Sequence, residues 1–154
     1  MDNLSQNKIL VTGASGFIGK HLVEHLLRRG FDVRCLVRRQ VHLPTPEGAT
    51  GRLETALGDI NDPPSLTEAL SGVHTVVHLV GIIRETPGAT FQRIHVDGTR
   101  NLLIAAARAE AKRFFYMSGL GARPNARSRY HQTKWEAEEL VRASGLQLAV
   151  FRPS

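Results

Sequence analysis

Segments with two different spacings of hydrophobic residues alternate along most of this chain. Short runs of apolar or alternating residues are typical of β-strands, and segments with an apolar residue every three or four positions are typical of amphipathic helices. The predicted strands cover residues 9–11, 31–37, 53–57, 75–80, 113–117 and 147–151, and the predicted helices cover 17–29, 63–72, 90–111 and 128–143. Because parallel strands need long crossover connections, this alternation predicts an α/β fold with a parallel sheet.

The first strand runs directly into the glycine-rich turn Val11-Thr12-Gly13-Ala14-Ser15-Gly16-Phe17-Ile18-Gly19. Gly13 permits a tight turn, Gly16 keeps a Cβ away from an approaching phosphate, and Gly19 lets the next helix pack closely on the sheet. The N-terminus of that helix offers free N–H groups and the positive end of its dipole. With a strand before it and a helix after it, the turn predicts a pyrophosphate site formed by Gly13, Ser15, Gly16, Phe17, Ile18 and Gly19. The alternative is a glycine-rich turn that holds no ligand.

The turn and the alternation together predict a Rossmann-type, doubly wound parallel sheet in three layers, α/β/α. The chain shows no internal repeat and no low-complexity segment. We therefore predict one NAD(P)-binding Rossmann domain over residues 1–154.

The end of the second predicted strand indicates which cofactor fits. NAD-binding versions of this fold place an acidic residue there, where it binds the adenosine ribose hydroxyls. This chain has Val37 followed by Arg38 and Arg39. Because a guanidinium binds phosphate through two parallel hydrogen bonds, Arg38 favours a ribose 2′-phosphate, and so NADP(H) over NAD(H). The alternative is that the arginines are simply solvated.

Composition places the chain among ordinary globular domains. Of its 154 residues, 42% are hydrophobic and 22% are charged. No apolar run reaches the roughly 18 residues of a membrane span, and the N-terminus lacks the pattern of a signal peptide. A single cysteine, Cys35, excludes an internal disulfide and predicts a reducing, cytoplasmic location.

The net charge of +6 raises the question of a nucleic-acid partner. The arginines, however, are scattered along the chain and do not form one stripe. We therefore predict that the charge is surface charge together with phosphate binding, and that no nucleic acid is bound.

Candidate catalytic residues lie in the last third of the chain. Tyr130 and Lys134 are four positions apart on a predicted helix and so share one face. A nearby ammonium favours the phenolate form of a tyrosine, which suits it for acid–base chemistry. Ser118 follows the fifth strand, at the sheet edge where such folds bind ligands, and its hydroxyl is suited to polarise a substrate carbonyl. The alternative is a tyrosine packed at a helix edge beside a solvated lysine; no metal site is predicted.

These motifs resemble the short-chain dehydrogenase/reductase superfamily, in its extended and atypical branch of epimerase- and dehydratase-like proteins. The matching segments are 12–19, Gly58-Asp59-Ile60, His78-Leu79-Val80-Gly81, residues 95–102, residues 130–134 and Arg152-Pro153-Ser154. Within that branch, segments 78–83 and 95–101 are similar to the nucleotide-binding accessory subunits of respiratory complex I and their bacterial relatives.

The resemblance implies roles for further residues. Asp59 and Ile60 would flank the adenine, although a Gly-Asp pair is also an ordinary turn signal. The segment Leu79-Val80-Gly81 would line the riboses. Tyr130 would be the acid–base residue, Lys134 would assist it and bind the nicotinamide ribose, and Pro153 would contact the nicotinamide.

The chain also departs from the family pattern. His95 stands where the extended family usually has asparagine, and a buried, hydrogen-bonded structural histidine is the alternative to a catalytic role there. At the end of the fifth strand, the register leaves open whether Ser118 or Gly119 occupies the place of the polarising serine. The family continues into a C-terminal substrate region, so we expect this chain to be the N-terminal part of a longer protein. An exposed sheet edge then favours a homo-oligomer or a larger assembly.

Two functions remain open from the sequence. The first is an NADP(H)-dependent oxidoreductase that transfers a hydride between nicotinamide and a small carbonyl or hydroxyl substrate, which the sequence does not identify. The second is a nucleotide-binding subunit without turnover, in which NADP(H) is a structural or redox-sensing ligand.

Overall fold

A computed structural model of the chain describes residues 8–154. The strands are β1 (Lys8–Thr12), β2 (Val33–Val37), β3 (Leu53–Leu57), β4 (Val73–His78), β5 (Arg113–Met117) and β6 (Gln147–Phe151). The helices are α1 (Phe17–Arg28), α2 (Pro63–Ala69), α3 (Gly98–Arg108), which follows a π-helical segment (Gln92–Asp97), and α4 (Arg129–Arg142).

All six strands pair in parallel, in the order β3-β2-β1-β4-β5-β6. The order reverses between β1 and β4, which is the point at which open α/β sheets bind ligands beyond the carboxyl ends of their strands. The predicted doubly wound Rossmann sheet is therefore confirmed.

The sheet separates two apolar cores. Leu10 and Phe114 belong to the core beneath α2, α3 and α4, whereas Val11 and Leu27 belong to the core beneath α1. Leu10 and Val11 serve opposite cores because successive strand residues point to opposite faces. Cys35 lies fully buried in the core beneath α1, where burial raises the pKa of its thiol to about 12.

Strand β4 ends at His78, two residues before the predicted end. The reason lies in its neighbour, because β1 ends at Thr12 and Gly13 then turns the chain away with a φ of 72°. The Leu79 N–H still donates to the Thr12 hydroxyl, at 3.2 Å. The chain from Val80 onward leaves the sheet and forms a loop at its carboxyl edge.

The predicted helix over 90–111 also differs in its first turns, which are π-helical. Three consecutive residues, Ile94, His95 and Val96, are buried there. In a regular α-helix, successive residues point about 100° apart, so three in a row do not share a narrow buried stripe. The wider π-helical turn brings His95 inward together with its neighbours.

One part of the sheet surface carries an apolar groove of about 370 Å³. It lies beside α1 and is lined by Ile18, Leu22, Val77, Phe115 and Phe151, among others. β6 is an edge strand next to it. Within residues 8–154, no helix is long and apolar enough to cross a membrane.

A buried histidine connects β1, β4 and α3. The two ring nitrogens of His78 lie 2.7 Å from the Thr12 hydroxyl and 3.0 Å from the Thr99 hydroxyl. Burial, reinforced by the positive charge of Lys134, lowers the pKa of His78 to about 3. The ring is therefore neutral in the folded protein at neutral pH.

This histidine makes the fold sensitive to acid. The unfolded chain protonates His78 near its ordinary pKa of about 6.5, whereas the native ring stays neutral down to about pH 3. Folding stability therefore falls as the pH drops through this window, by about 2 kcal/mol between pH 7 and pH 5 from His78 alone.

Urea denaturation of the wild type and of His78→Gln at both pH values tests this expectation. We expect the variant to be less stable at pH 7 but to lose about 2 kcal/mol less than the wild type on acidification. An equal loss in both proteins would contradict a neutral, buried His78.

Candidate functional site

The glycine-rich turn ends in an uncapped helix. Gly16 donates its N–H to the Gly13 carbonyl at 3.0 Å, and α1 then begins at Phe17. Among residues 8–154, no side chain caps this helix, and its first turn contains no acid. The N–H groups of the first turn are therefore available to an anion, and the helix dipole favours negative charge there.

Each glycine of the turn meets a different constraint. At Gly19 a Cβ would collide with the Gly13 carbonyl oxygen and with the backbone of Ala14. At Gly13 a Cβ would lie 3.2 Å from the backbone of Leu79 and Val80, in addition to the strain of a positive φ. The turn thus packs against both α1 and the loop after β4.

Gly16 has more room, because its nearest neighbour is the Gly13 oxygen, 3.2 Å from the position of a Cβ. Its surroundings are otherwise open, which is what a close approach by a phosphate requires. Ser15, Phe17 and Ile18 are exposed beside it, and Phe17 has 83% of its surface accessible.

The residues predicted for the adenosine half lie at the same edge of the sheet. Arg38 and Arg39 directly follow β2, are exposed, and pair with no carboxylate in the part of the chain that the structure describes. Asp59 accepts the Asn61 N–H at 2.8 Å, so this carboxylate does form a turn. The Ile60 side chain is buried against Gly98, and the Ile60 carbonyl accepts the Asn101 side-chain amide at 2.9 Å.

Tyr130 is held within a group of rings. Its phenol ring is edge-on to Phe91, His95 and His131, with ring centroids 5.8, 5.3 and 5.0 Å away. Edge-to-face contacts at these distances are favourable and fix the orientation of a ring. Tyr130 is half-buried, as a residue that must meet a substrate requires.

Lys134 is buried one turn further along α4. Its Nζ donates to the Met117 carbonyl at 2.5 Å and lies 4.6 Å from the centroid of the Tyr116 ring. Burial lowers the pKa of Lys134 to about 8, although the Glu138 carboxylate acts in the opposite direction. A Cβ at Gly81 would lie 3.7 Å from this Nζ, so the predicted ribose-binding loop reaches the lysine.

The structure also answers the question of register after β5. A Cβ at Gly119 would lie 3.6 Å from the Tyr130 hydroxyl, so position 119 is the one beside the phenol. The Ser118 hydroxyl is buried near the Glu138 carboxylate. The structure thus places Gly119 beside the predicted catalytic tyrosine, and Ser118 stays a prediction.

His95 is a buried histidine with hydrogen-bonding partners on two elements. Its Nδ1 lies 2.9 Å from the Thr133 hydroxyl, and its Nε2 lies 3.1 Å from the Ile82 backbone. Burial, with the positive charge of Lys134, lowers the pKa of His95 to about 4, so the ring is neutral. It joins the loop after β4 to the helix that carries Tyr130.

Pro153 and Glu138 lie at this end of the site. The sequence analysis did not identify Glu138. The Pro153 carbonyl accepts the Leu120 N–H at 3.1 Å, next to Gly119. Glu138, on α4, binds Arg152 from a fully buried position. In the sequence, only the spacing of four residues between Lys134 and Glu138 could have indicated that Glu138 lies near the site.

The sequence is similar to a family of known proteins. Residues 13–154 match a protein family described as NAD(P)H-binding. Ceramide reductase from Caulobacter vibrioides is 36% identical over 146 residues, which cover 94% of this chain and 45% of that protein. Cinnamoyl-CoA reductase 1 from Oryza sativa subsp. japonica is 37% identical over 126 residues, which cover 79% of this chain and 37% of that protein.

A solved structure from the short-chain dehydrogenase/reductase superfamily has the same fold as this chain. A short-chain dehydrogenase/reductase superfamily protein from Agrobacterium tumefaciens with bound NAD superposes with a TM-score of 0.75 at 30% identity. The match covers 95% of this chain and 48% of that one. The chain thus spans less than half the length of these three relatives. None of the three is a complex I subunit, and that narrower resemblance stays a prediction.

The glycines allow a test that separates folding from binding. We expect Gly19→Ala to destabilise the fold by about 1–3 kcal/mol, because the new methyl group overlaps backbone atoms that have little freedom to move. Gly16→Ala should lower the melting temperature less than Gly19→Ala does, because its only close neighbour is the Gly13 carbonyl oxygen at 3.2 Å. It should still weaken NADPH binding, because the methyl group lies in the predicted phosphate site. Thermal denaturation and calorimetric titration of both variants measure this. Equal effects of the two substitutions on stability and on affinity would contradict the separate roles.

Proposed function

Because the chain belongs to the NAD(P)H-binding family of extended short-chain dehydrogenases and reductases, we propose that it binds NADP(H) for hydride transfer. The hydride would move between the nicotinamide and a small carbonyl or hydroxyl substrate. Tyr130 would exchange the proton with the substrate oxygen, and Lys134 would support Tyr130.

One observation supports this proposal: Tyr130 and Lys134, the two proposed catalytic side chains, each lie close to a glycine that follows a strand of the sheet. The position of a Cβ at Gly119 is 3.6 Å from the Tyr130 hydroxyl, and that of a Cβ at Gly81 is 3.7 Å from Lys134 Nζ. Gly81 follows Leu79 and Val80, whose backbone packs against Gly13. The predicted phosphate site and the predicted acid–base pair are therefore joined by one short loop.

The residues of the chain would divide the chemistry as follows. A bound nicotinamide supplies or accepts the hydride. In the reducing direction, the Tyr130 hydroxyl donates its proton to the substrate oxygen, and in the oxidising direction the phenolate accepts it. Lys134, with a pKa of about 8, is mostly cationic at neutral pH. The exposed Gly81 leaves room for a ribose whose hydroxyls the same ammonium could bind.

The cofactor preference rests on Arg38 and Arg39. Both are exposed at the carboxyl end of β2, and no described carboxylate neutralises them. An acid at this position would repel a 2′-phosphate, whereas a guanidinium binds it. NADP(H) is therefore the proposed cofactor, and NAD(H), which is bound in the Agrobacterium tumefaciens structure, is the alternative.

A second function has its own support. Gly119, which has no hydroxyl, is the residue beside the Tyr130 phenol, and His95 occupies the place of the usual asparagine. Both features weaken the usual means of polarising a substrate and relaying its proton. A nucleotide-binding subunit of a larger assembly, in which NADP(H) is a structural or redox-sensing ligand, is the alternative function.

The charge at position 38 should determine which cofactor binds. Arg38→Asp should raise the dissociation constant for NADPH about 10- to 100-fold, because a charge-assisted pair is replaced by a repulsion. The constant for NADH should change much less. Arg108→Asp, at an exposed position near the end of α3, makes the same change in net charge and controls for it. Equal losses for both cofactors would contradict the role of Arg38.

Tyr130→Phe tests the catalytic role. With NADPH and a panel of aliphatic and aromatic aldehydes and ketones, we expect nicotinamide oxidation to fall by about 10²–10⁴-fold in this variant. The affinity for NADPH should stay the same.

Tyr116→Phe is the matched control, because it removes the hydroxyl of a buried tyrosine and keeps the ring that Lys134 contacts. Full activity of Tyr130→Phe would contradict the acid–base role. A wild type that binds NADPH but oxidises it with none of these substrates would favour the non-catalytic subunit.

A further inference from the structure

Glu138 is a carboxylate with no exposed surface, and it lies one helical turn beyond Lys134 on α4. Arg152 binds it through two hydrogen bonds, 3.0 Å from Nε to Oε2 and 2.6 Å from Nη2 to Oε1. This paired geometry is the strongest that an arginine and a carboxylate form. Arg142 is a second partner, with its Nη2 2.7 Å and its Nε 3.2 Å from Oε1.

These arginines keep the buried carboxylate ionised. Burial opposes the charge of Glu138, but hydrogen bonds from Arg152 and Arg142 outweigh burial and hold the pKa of the carboxyl below its ordinary value. Only the carboxylate is removed from water, because the side chains of Arg152 and Arg142 are 37% and 49% exposed. Solvent screens the charge of an exposed arginine, so these ion pairs are weak evidence of stability. A role in positioning neighbouring groups is therefore a better explanation of the Glu138–Arg152 pair than a contribution to stability.

Arg152 lies between two residues that are fastened to the Tyr130 region. Phe151, before it, accepts the Ser118 N–H at 2.7 Å through its carbonyl. Pro153, after it, accepts the Leu120 N–H at 3.1 Å. The segment 151–153 and the segment 118–120 thus form one unit, and Gly119 lies within it, against the phenol of Tyr130.

Trp135, which is also on α4, makes a second contact with the Arg152 guanidinium. The Arg152 guanidinium carbon lies 5.7 Å from the centroid of the Trp135 ring, which is within cation–π range. The carboxylate and the ring thus fix the position of Arg152 relative to the helix that carries Tyr130 and Lys134.

We infer that Glu138 is a positioning residue, which acts through Arg152 to hold Pro153 and the 118–120 segment at the nicotinamide end of the site. This inference rests on the proposed function, because it takes the nicotinamide to lie beside Pro153 and Tyr130. Glu138 itself touches neither cofactor nor substrate in this account.

The test compares a whole cofactor with a fragment of it. Adenosine 2′,5′-bisphosphate carries the adenosine and the 2′-phosphate but lacks the nicotinamide. Glu138→Gln keeps the size of the side chain and removes the charge that binds Arg152. We expect calorimetry to show that the variant binds NADPH about tenfold more weakly, while its affinity for the bisphosphate changes by less than about twofold.

Two controls show where the effect arises. Arg142→Ala removes the other arginine from Glu138 without touching segment 151–153, and it should leave the affinity for NADPH unchanged. Trp135 is the only tryptophan of the chain, so its fluorescence reports directly on the neighbouring Arg152. A changed emission in folded Glu138→Gln shows that Arg152 has been released.

The outcomes are distinct. An equal loss of affinity for NADPH and for the bisphosphate would overturn the inference, because it indicates general damage to the fold. Unchanged affinity for NADPH despite a changed Trp135 emission would overturn it as well. If Glu138→Gln fails to fold, Arg152→Lys, which keeps the charge but loses the paired geometry, is measured by the same criteria.

Failure of the proposed function would look different, because the wild type would then bind none of these ligands. A wild type that prefers NADH would refute only the role of Arg38. In that case NADH and ADP would replace NADPH and adenosine 2′,5′-bisphosphate in the test.

Discussion

The close packing of α1 against the glycine turn is the constraint on which the rest of the site depends. Any side chain at Gly19 would overlap the Gly13 carbonyl, so the helix starts where it does only because this position has no Cβ. That start leaves the first N–H groups of α1 without caps, beyond the carboxyl end of β1. The positive φ of Gly13 ends β1 at Thr12, and the loop after β4 then packs onto the turn. One backbone contact thus sets the anion site and its distance from the loop that reaches Lys134.

At the other end of the site, two buried neutral histidines lie near the buried ammonium of Lys134. His78 and His95 have pKa values of about 3 and about 4 because of burial and the charge of Lys134. With both rings neutral, Lys134 carries the local positive charge, and its Nζ is fixed by the Met117 carbonyl. Glu138 lies on the same helix and is held by arginines. This arrangement places the charge of Lys134 next to Gly81, where the ribose hydroxyls of the proposed cofactor would lie.

The fold could be predicted because its determinants are local and periodic. The alternating periods define the strands and helices, and the spacing of Gly13, Gly16 and Gly19 marks the turn. The features that the sequence did not reveal depend on contacts between distant segments. The position of Gly119 against Tyr130 depends on the register between β5 and α4, which no short pattern encodes. Glu138 resembles the other acids of a polar helix until β6 brings Arg152 onto it. The π-helical turn at His95 arises from packing and has no signature of its own.

The central claim is that the turn and the uncapped end of α1 form a dinucleotide site. Calorimetric titration of the 154-residue chain with NADPH and with NADH, at low and at moderate salt, tests it most directly. We expect saturable binding of one molecule per chain, tighter for NADPH than for NADH. Added salt should weaken the binding of NADPH more than that of NADH, because an exposed arginine binds the 2′-phosphate. No detectable binding of either cofactor to the folded chain would contradict the claim.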